Sequence, residues 1–421
     1  MTTEEQKSKI MHTQLQETTQ RALHDLGFEE WTSIQEKCIP EIMQGKDIFG
    51  QSATGSGKTA AFGIPLIEKI TPGRSVQALI LTPTRELCVQ VADALKSFAK
   101  HTKLKIASIY GGVGISPQID ALKRADVVVG TPGRILDHLE RGTLQLAWVR
   151  FLVLDEADKM FEMGFIDDVR RIIHGIPKDR QTMLFSATLP YSIVKLAETH
   201  LRNPVHIKSE SYVDRSKLKQ TYYEIPSHEK FSLLVHLLKH KTSGLALVFC
   251  ATRREVDLVA NNLKKQGIKA LPIHGGLSQK QRLEVLDKLK HEQIRILVAT
   301  DVAARGLDIK NISHVYNYDV PKTSDEYIHR VGRTARAGES GEAVTLLSDR
   351  DYQNFDQVLR DRSLTIKREQ PPRTERVMFH RQERPQGRSG FSRGPRRNGH
   401  ALRDRGGPRR GSGKTIYANV R

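Results

Sequence analysis

Short, almost wholly apolar runs recur along the chain in two series, separated by longer stretches with helical spacing. The first series is Asp47–Phe49, Ala78–Leu81, Lys105–Ile109, Asp126–Val129, Phe151–Leu154 and Thr182–Phe185. The second is Leu245–Phe249, Ala270–Ile273, Arg295–Ala299, His314–Asn317 and Ala343–Leu347. A strand with one wet face alternates apolar and polar residues, whereas a strand covered on both faces does not. Most of these runs are of the second kind, rich in Val, Ile, Leu and Phe. The segments between them, such as Glu86–Ala99 and Arg254–Gln266, combine good helix formers with helix-like spacing. This alternation predicts an α/β fold with parallel sheets, and the two series predict two such domains in tandem.

The 421 residues leave room for that and for more. The polar stretch Asn203–Lys217, with Pro204 near its start, is the best linker. The expected layout is therefore a first domain over 1–205, a linker over 206–217, a second domain over 218–366 and a tail over 367–421. The tail is rich in Arg, Gly, Pro and Ser, and it holds sixteen basic against four acidic residues. Such a segment cannot bury enough apolar surface to offset its ordering entropy, so disorder is expected there. It carries most of the chain's net charge of +19, which points to a polyanionic partner. No run of eighteen apolar residues is present to cross a membrane, and the polar start Met1–Gln6 lacks the apolar core of a secretory signal. Cys38, Cys88 and Cys250 form no CxxC pair, so neither a disulfide framework nor a zinc site is expected, and a reducing compartment is.

The chemistry-bearing residues fall just after the candidate strands, where open α/β sheets bind their ligands. After the first strand comes Ser52-Ala53-Thr54-Gly55-Ser56-Gly57-Lys58-Thr59, followed by a plausible helix start. Its glycines let backbone N–H groups turn inward around phosphate oxygens; Lys58 would reach the β- and γ-phosphates of ATP and Thr59 would ligate Mg²⁺. A second Gly411-Ser412-Gly413-Lys414-Thr415 follows no strand and reads as part of the flexible tail. Asp155-Glu156-Ala157-Asp158 ends a buried strand. Asp155 is assigned to Mg²⁺, largely through water, and Glu156 to polarising the attacking water.

At these residues the chain resembles the DEAD-box RNA helicases, whose name Asp155-Glu156-Ala157-Asp158 spells, and the likeness runs from about Leu15 to Leu347 with the motifs in the family's order. It implies two RecA-like domains joined by a linker. Gly27–Gln35 resembles the Q motif, in which Gln35 would hydrogen-bond adenine and Phe28 would stack on it; Trp31 stands where the family has proline, and Ile10 where it has an upstream aromatic. His329–Arg336 is similar to motif VI, implying that Arg333 and Arg336 reach the γ-phosphate from the second domain; three residues apart, they would share a face if the stretch is helical. Asp308 matches the ribose contact. Ser186-Ala187-Thr188 resembles motif III, which couples hydrolysis to strand separation, although such hydroxyls could equally cap a helix.

The resemblance also implies an RNA track. In the first domain it comprises Pro83, Thr84, Arg85, Gly111, Gly112, Thr131, Pro132, Gly133 and Arg134. In the second it comprises Thr252, His274, Gly275, Gln279, Arg282 and Thr300. Hydroxyls, loop N–H groups and arginines hold phosphates without reading sequence. Taken as isolated peptides, these could be ordinary loop turns. The expected function is ATP-dependent separation of short RNA duplexes or remodelling of RNA–protein complexes, coupled to RNA-stimulated hydrolysis, by a cytoplasmic monomer. Ribosomal or RNA-decay assemblies are compatible settings. An ATP-gated RNA clamp and a DNA helicase on the same scaffold are the rivals. The tail, with Arg393–Arg397 and Arg405–Arg410, resembles RGG-like RNA-binding extensions.

Overall fold

The computed structural model describes residues 15–52, 55–208, 217–304, 309, 312–335 and 340–380. Its first half runs α1 (Glu17–Asp25), α2 (Ser33–Met43), β1 (Ile48–Gln51), α3 (Lys58–Lys69), β2 (Ala78–Leu81), α4 (Arg85–Phe98), β3 (Ile106–Ile109), α5 (Ser116–Leu122), β4 (Val127–Gly130), α6 (Pro132–Glu140), β5 (Phe151–Leu154), α7 (Ala157–Glu162), α8 (Ile166–His174), β6 (Gln181–Ser186), α9 (Tyr191–His200) and β7 (Val205–Lys208). The second half runs β8 (Leu218–Glu224), α10 (Lys230–His240), β9 (Leu245–Phe249), α11 (Arg253–Lys265), β10 (Ala270–Ile273), α12 (Gln279–Lys290), β11 (Ile296–Ala299), α13 (Asp301–Ala304), β12 (Ile312–Asn317), α14 (Ser324–Val331), β13 (Gly341–Leu347), α15 (Tyr352–Leu359) and β14 (Lys367–Glu369).

Two seven-stranded sheets result, ordered β3-β4-β2-β5-β6-β1-β7 and β10-β11-β9-β12-β13-β8-β14. Counted from its own first strand, each sheet reads 3-4-2-5-6-1-7, so the second half repeats the topology of the first. Neighbouring strands pair in parallel, with β1 against β6 and β5 against β2, for example. The apolar runs are continuous because helices cover both faces. Ile80 and Val129 join one core layer, while Leu79 and Val128, one residue away on the same strands, join the layer on the opposite face. The second sheet divides the same way, with Leu247 facing one layer and Val248 the other.

Three strands escape an apolar reading. Val205–Lys208 adds a seventh strand beside β1, so the linker expected at 206–217 begins inside the first sheet; residues 209–216 lie outside the described set. An edge strand needs one buried face only, and Val-His-Ile-Lys alternates accordingly. Leu218–Glu224 mixes polar and apolar residues, because only Leu218, Thr221 and Tyr223 of its side chains are buried. The third correction concerns the tail. Lys367–Glu369 forms β14 against β8, held by the Tyr223 hydroxyl donating to Glu369 (2.7 Å) and by Lys219 (3.1 Å). Beyond it, Val377 and Phe379 pack on the second domain's core. Val377 N–H donates to Ser232 Oγ (3.0 Å), His380 N–H donates to Asn262 Oδ1 (2.8 Å), and Asn262 Nδ2 donates back to His380 O (3.0 Å). The disorder expected from residue 367 is therefore overturned as far as His380. The rest of the tail, including Gly411–Thr415, lies outside the described residues. All three cysteines are free and buried, and no helix among the described residues is long and apolar enough to cross a membrane.

Candidate active site

Three consecutive strands, β5, β6 and β1, deliver one group of motifs to the same sheet end. The phosphate loop leaves β1 and closes on itself: Lys58 Nζ donates to Ser52 O (2.9 Å), and Ser52 Oγ donates to Ser56 Oγ (2.5 Å). Ser52 N–H in turn donates to Ser186 O of β6 (2.9 Å). Gly57, at φ +95°, begins α3 from a left-handed conformation, and a Cβ there would strike the Gln35 side chain. Gln35 is buried under the loop. It accepts from Thr32 N–H (2.9 Å) and donates to Gly57 O (3.1 Å), while the Thr32 hydroxyl donates to Ser56 O (2.9 Å). A primary amide has two donors and two lone pairs, so half its capacity remains for a base edge. Phe28 stands edge-on to Trp31 and Phe98, half-buried. Thr59 lies on the first turn of α3, half-buried. Ala53 and Thr54 lie outside the described residues.

Asp155 and Glu156 follow β5. Asp155 is 2% exposed and its Oδ1 has no hydrogen-bond partner. Burial pushes its carboxyl up to about 7, with Lys58 opposing the shift and Glu156 reinforcing it. Glu156 adopts φ +51°, a left-handed conformation uncommon outside glycine, which turns the chain sharply into α7. Asp158, which sequence reasoning left without a role, is the hub of the next layer. Its Oδ2 accepts from both Thr188 N–H and Thr188 Oγ1 (2.9 Å each). Asp158 N–H donates to Ser186 Oγ (3.2 Å), and Ser186 Oγ donates to Thr188 O (2.7 Å). Ser186 and Thr188 are thus brought onto the acidic motif, where Ser186 Oγ also accepts an N–H from the first turn of α7. The repeated carboxylates of the motif were the signal that could have singled out Asp158.

In the second domain, Arg330 is a framework residue. It makes a two-pronged pair with Asp301 (2.6 and 2.7 Å), donates to Asp319 O (2.6 Å) and lies over the Phe249 ring. Arg333 is buried beside it, lining a small cavity with Phe249, Asp301 and His329. The helical condition set for Arg333 and Arg336 fails, because α14 ends at Val331. Thr334 Oγ1 donates to Ile312 O and Ser313 O, drawing the chain onto β12 in tight turns, and Ala335 sits at φ +53°. Arg336 and Asp308 lie outside the described residues.

The RNA-track residues follow the other strands, β3-β4-β2 in the first sheet and their topological equivalents β10-β11-β9 in the second. The two sets match in detail. Thr84 caps α4 by accepting Leu87 N–H, and Thr252 caps α11 by accepting Glu255 N–H, both at 3.2 Å. Arg85 lies across Gly111-Gly112, where a Cβ on Gly112 would overlap its guanidinium; Arg253 lies beside Gly275. Pro83 is buried; Thr131 precedes Pro132 and Gly133 at the start of α6, and Arg134 donates to Val113 O (3.4 Å). His274 bonds Asp257 (2.9 Å) and accepts Gly276 N–H (3.1 Å), and Thr300 is buried ahead of α13. Gln279 and Arg282 depart from expectation. Gln279 Nε2 donates to Glu86 Oε1 (3.0 Å), and Arg282 Nε lies 3.0 Å from the same oxygen. Glu86, a buried carboxylate on the first turn of α4, claims both side chains, and the sequence reading gave it no role.

Two parallel-sheet domains of one topology, the first folding a phosphate loop over a carboxylate pair, define a tandem RecA-like core. Residues 32–196 match the DEAD/DEAH box helicase family model, and residues 229–338 match the helicase conserved C-terminal domain. The chain is 46% identical over 361 residues to the DEAD-box ATP-dependent RNA helicase CshA of Geobacillus kaustophilus, covering 85% of this chain and 77% of the relative. It belongs to the DEAD-box family of ATP-dependent RNA helicases. The Bacillus subtilis CshA is 47% identical over 334 residues, 79% of this chain and 68% of that one, and against the Bacillus cereus relatives the covered share falls to 64–65%. Among solved structures, Saccharomyces cerevisiae Dbp5 bound to RNA and ADP BeF3 matches at 30% identity and TM-score 0.78, over 86% of this chain and 96% of that one. Mss116p bound to ssRNA and AMP-PNP matches at 26% identity and TM-score 0.75, over 85% and 78%.

Proposed function

We propose that this chain hydrolyses ATP in response to RNA and uses the cycle to separate short RNA duplexes locally or to remodel RNA–protein complexes. The observation that carries this reading is the partition of each sheet. Strands β5, β6 and β1 present the nucleotide motifs, and β3-β4-β2 with their equivalents β10-β11-β9 present matched sets of phosphate-holding caps and arginines. Lys58 would leave Ser52 O for the phosphates, Glu156 would orient the attacking water, and Arg333 and Arg336 would meet the growing charge from the second domain, a contribution of about 10³–10⁵ in rate. Asp155, with its unpartnered buried oxygen, and Thr59 fit as holders of Mg²⁺ through water and phosphate oxygens. When bound, Mg²⁺ neutralises charge on the β- and γ-phosphates. Gln35 and Phe28 would select adenine, Asp308 would contact the ribose, and the Asp158–Ser186–Thr188 array would report the nucleotide state to the RNA track. RNA would be held by its backbone, without sequence preference. The protein is proposed to act as a monomer in the cytoplasm, within ribosomal or RNA-decay assemblies, with the basic tail as a second RNA contact.

The test is ATP hydrolysis with and without single-stranded RNA or DNA, run beside Glu156→Gln. Strong stimulation by RNA alone, abolished by the substitution, is the expected result. RNA-independent hydrolysis would overturn the reading, as would long duplexes opening as efficiently as short ones, since stacking of about 1.4 kcal/mol per step limits a single local event to few base pairs.

A further inference from the structure

We propose that the amino-terminal edge of the first sheet carries a binding site for a small polyphosphate-bearing molecule, separate from the phosphate loop. The loops that enter four adjacent strands, β5, β6, β1 and β7, bring Arg150, Arg180, Lys46 and Arg202 around one cavity of about 460 Å³. That volume falls within the range of small-molecule sites. A second cavity of about 330 Å³ shares Asp47, Arg180 and Arg202 with it and adds Lys178, His174 and His200. β1 is four residues long, so about 16 Å of extended chain separates Asp47 from Ser52, and the two sites lie at opposite sheet ends.

Lys46 is ion-paired with Glu41 (2.6 Å), and the cations of the cavity with no carboxylate at ion-pair distance among the described residues are Arg150 and Arg180. Asp47 is committed to the backbone, accepting from Thr182 N–H (2.8 Å) and Arg202 N–H (2.7 Å). Asp179 stands out in solvent, 3.7 Å from Arg202. The two strand-entry arginines are oriented by neutral acceptors: Arg150 donates to Gln77 Oε1 (2.9 Å), and Arg180 donates to Thr182 Oγ1 (3.1 Å) and Pro177 O (2.9 Å). Burial and the Arg202 charge lower the pKa of Arg180, with Asp47 opposing them. His200 senses the same surplus: burial first, then Arg180, His174 and Arg170, hold its imidazole below its ordinary value. Crowding like charges costs stability unless an anion joins them, and guanidinium groups suit phosphate geometry. The concave, loop-walled shape favours a compact ligand over an RNA strand, which needs an extended basic groove.

The full chain carrying Lys58→Ala, which disables the phosphate loop, would be titrated with inorganic tripolyphosphate by calorimetry and by NMR of the His200 ring. Saturable binding that raises the His200 pKa, and that weakens about tenfold or more in Arg180→Gln/Arg202→Gln, is expected for lost charge-assisted bonds. Arg150→Gln gives the same reading if the double variant fails to fold. A nucleoside triphosphate binding more tightly than tripolyphosphate would specify a nucleotide ligand, and equal affinities an inorganic one. Binding unchanged by these substitutions, shown only by long RNA, or absent would overturn the proposal.

Discussion

The proposed coupling between hydrolysis and RNA turns on single residues. The Thr188 hydroxyl supplies one of two bonds to a buried Asp158 oxygen. Removing it in Thr188→Ala forfeits a bond to a charged group, about 1.5–3 kcal/mol. If that array carries the signal, duplexes separated per ATP hydrolysed fall about ten- to hundredfold by the same conversion, while RNA-stimulated hydrolysis falls much less. Equal losses in both assays would dismiss the coupling role. A second residue sets an acid limit. His314 chiefly, with Lys219, lowers the Glu342 carboxyl from 4.5 to about 2. A depressed carboxylate pKa contributes stability that is present above the unfolded value and lost as pH falls toward the folded one. Thermal melts between pH 4.5 and about 2 would therefore show a shallower decline for Glu342→Gln than for the parent. At this scale the sequence was legible wherever chemistry needs a fixed residue type, as at Lys58 or Asp155. It was silent on Glu86, whose importance comes from Gln279 and Arg282, nearly two hundred residues away along the chain.

Elements were legible in proportion to their burial. Ala78–Leu81, Phe151–Leu154, Leu245–Phe249 and Ala270–Ile273 occupy the ranges their composition predicts. Strands β7, β8 and β14 were not legible, because a short strand of mixed or charged composition resembles a loop whether it lies at a sheet edge, as β7 and β14 do, or just inside it, as β8 does. β14 shows the extreme case: Lys-Arg-Glu becomes a strand through Arg368 against Glu224 and Lys219 against Glu369. The segment after it is held by Phe379 against Phe231, ring centroids 4.9 Å apart, and by the paired bonds to Asn262. Phe379→Ala should destabilise the second domain by about 2 kcal/mol, roughly half the cost at a fully buried site. Denaturant unfolding of the two variants side by side checks this; an unchanged midpoint would mean that the segment does not add to the domain's stability.

For the whole molecule, the described part of the tail ends at His380, so the basic remainder begins at residue 381. Residues 381–421 contain twelve basic and two acidic side chains. Deleting them should weaken RNA binding and flatten its salt dependence by about 0.7 in log–log slope for each phosphate the tail neutralises. Hydrolysis without RNA should not change. A slope identical to the parent's would refute the RNA-tether reading of the tail. A cut at residue 370 instead would confound that result with lost packing, because Val377 and Phe379 pack against the second domain's core.

The shared strand order has one more consequence. The place that the phosphate loop occupies after β1 corresponds, in the second sheet, to the place after β8, where the chain reads Ile225-Pro226-Ser227-His228. No glycine-rich cradle exists there, so among the described residues the duplicated scaffold repeats the strand order without repeating the phosphate loop. Under the proposed cycle the two halves divide the labour: one would hold the nucleotide, and the other would contribute arginines and grip. Neither half alone would then be an engine, and the smallest unit expected to convert hydrolysis into work on RNA is the pair.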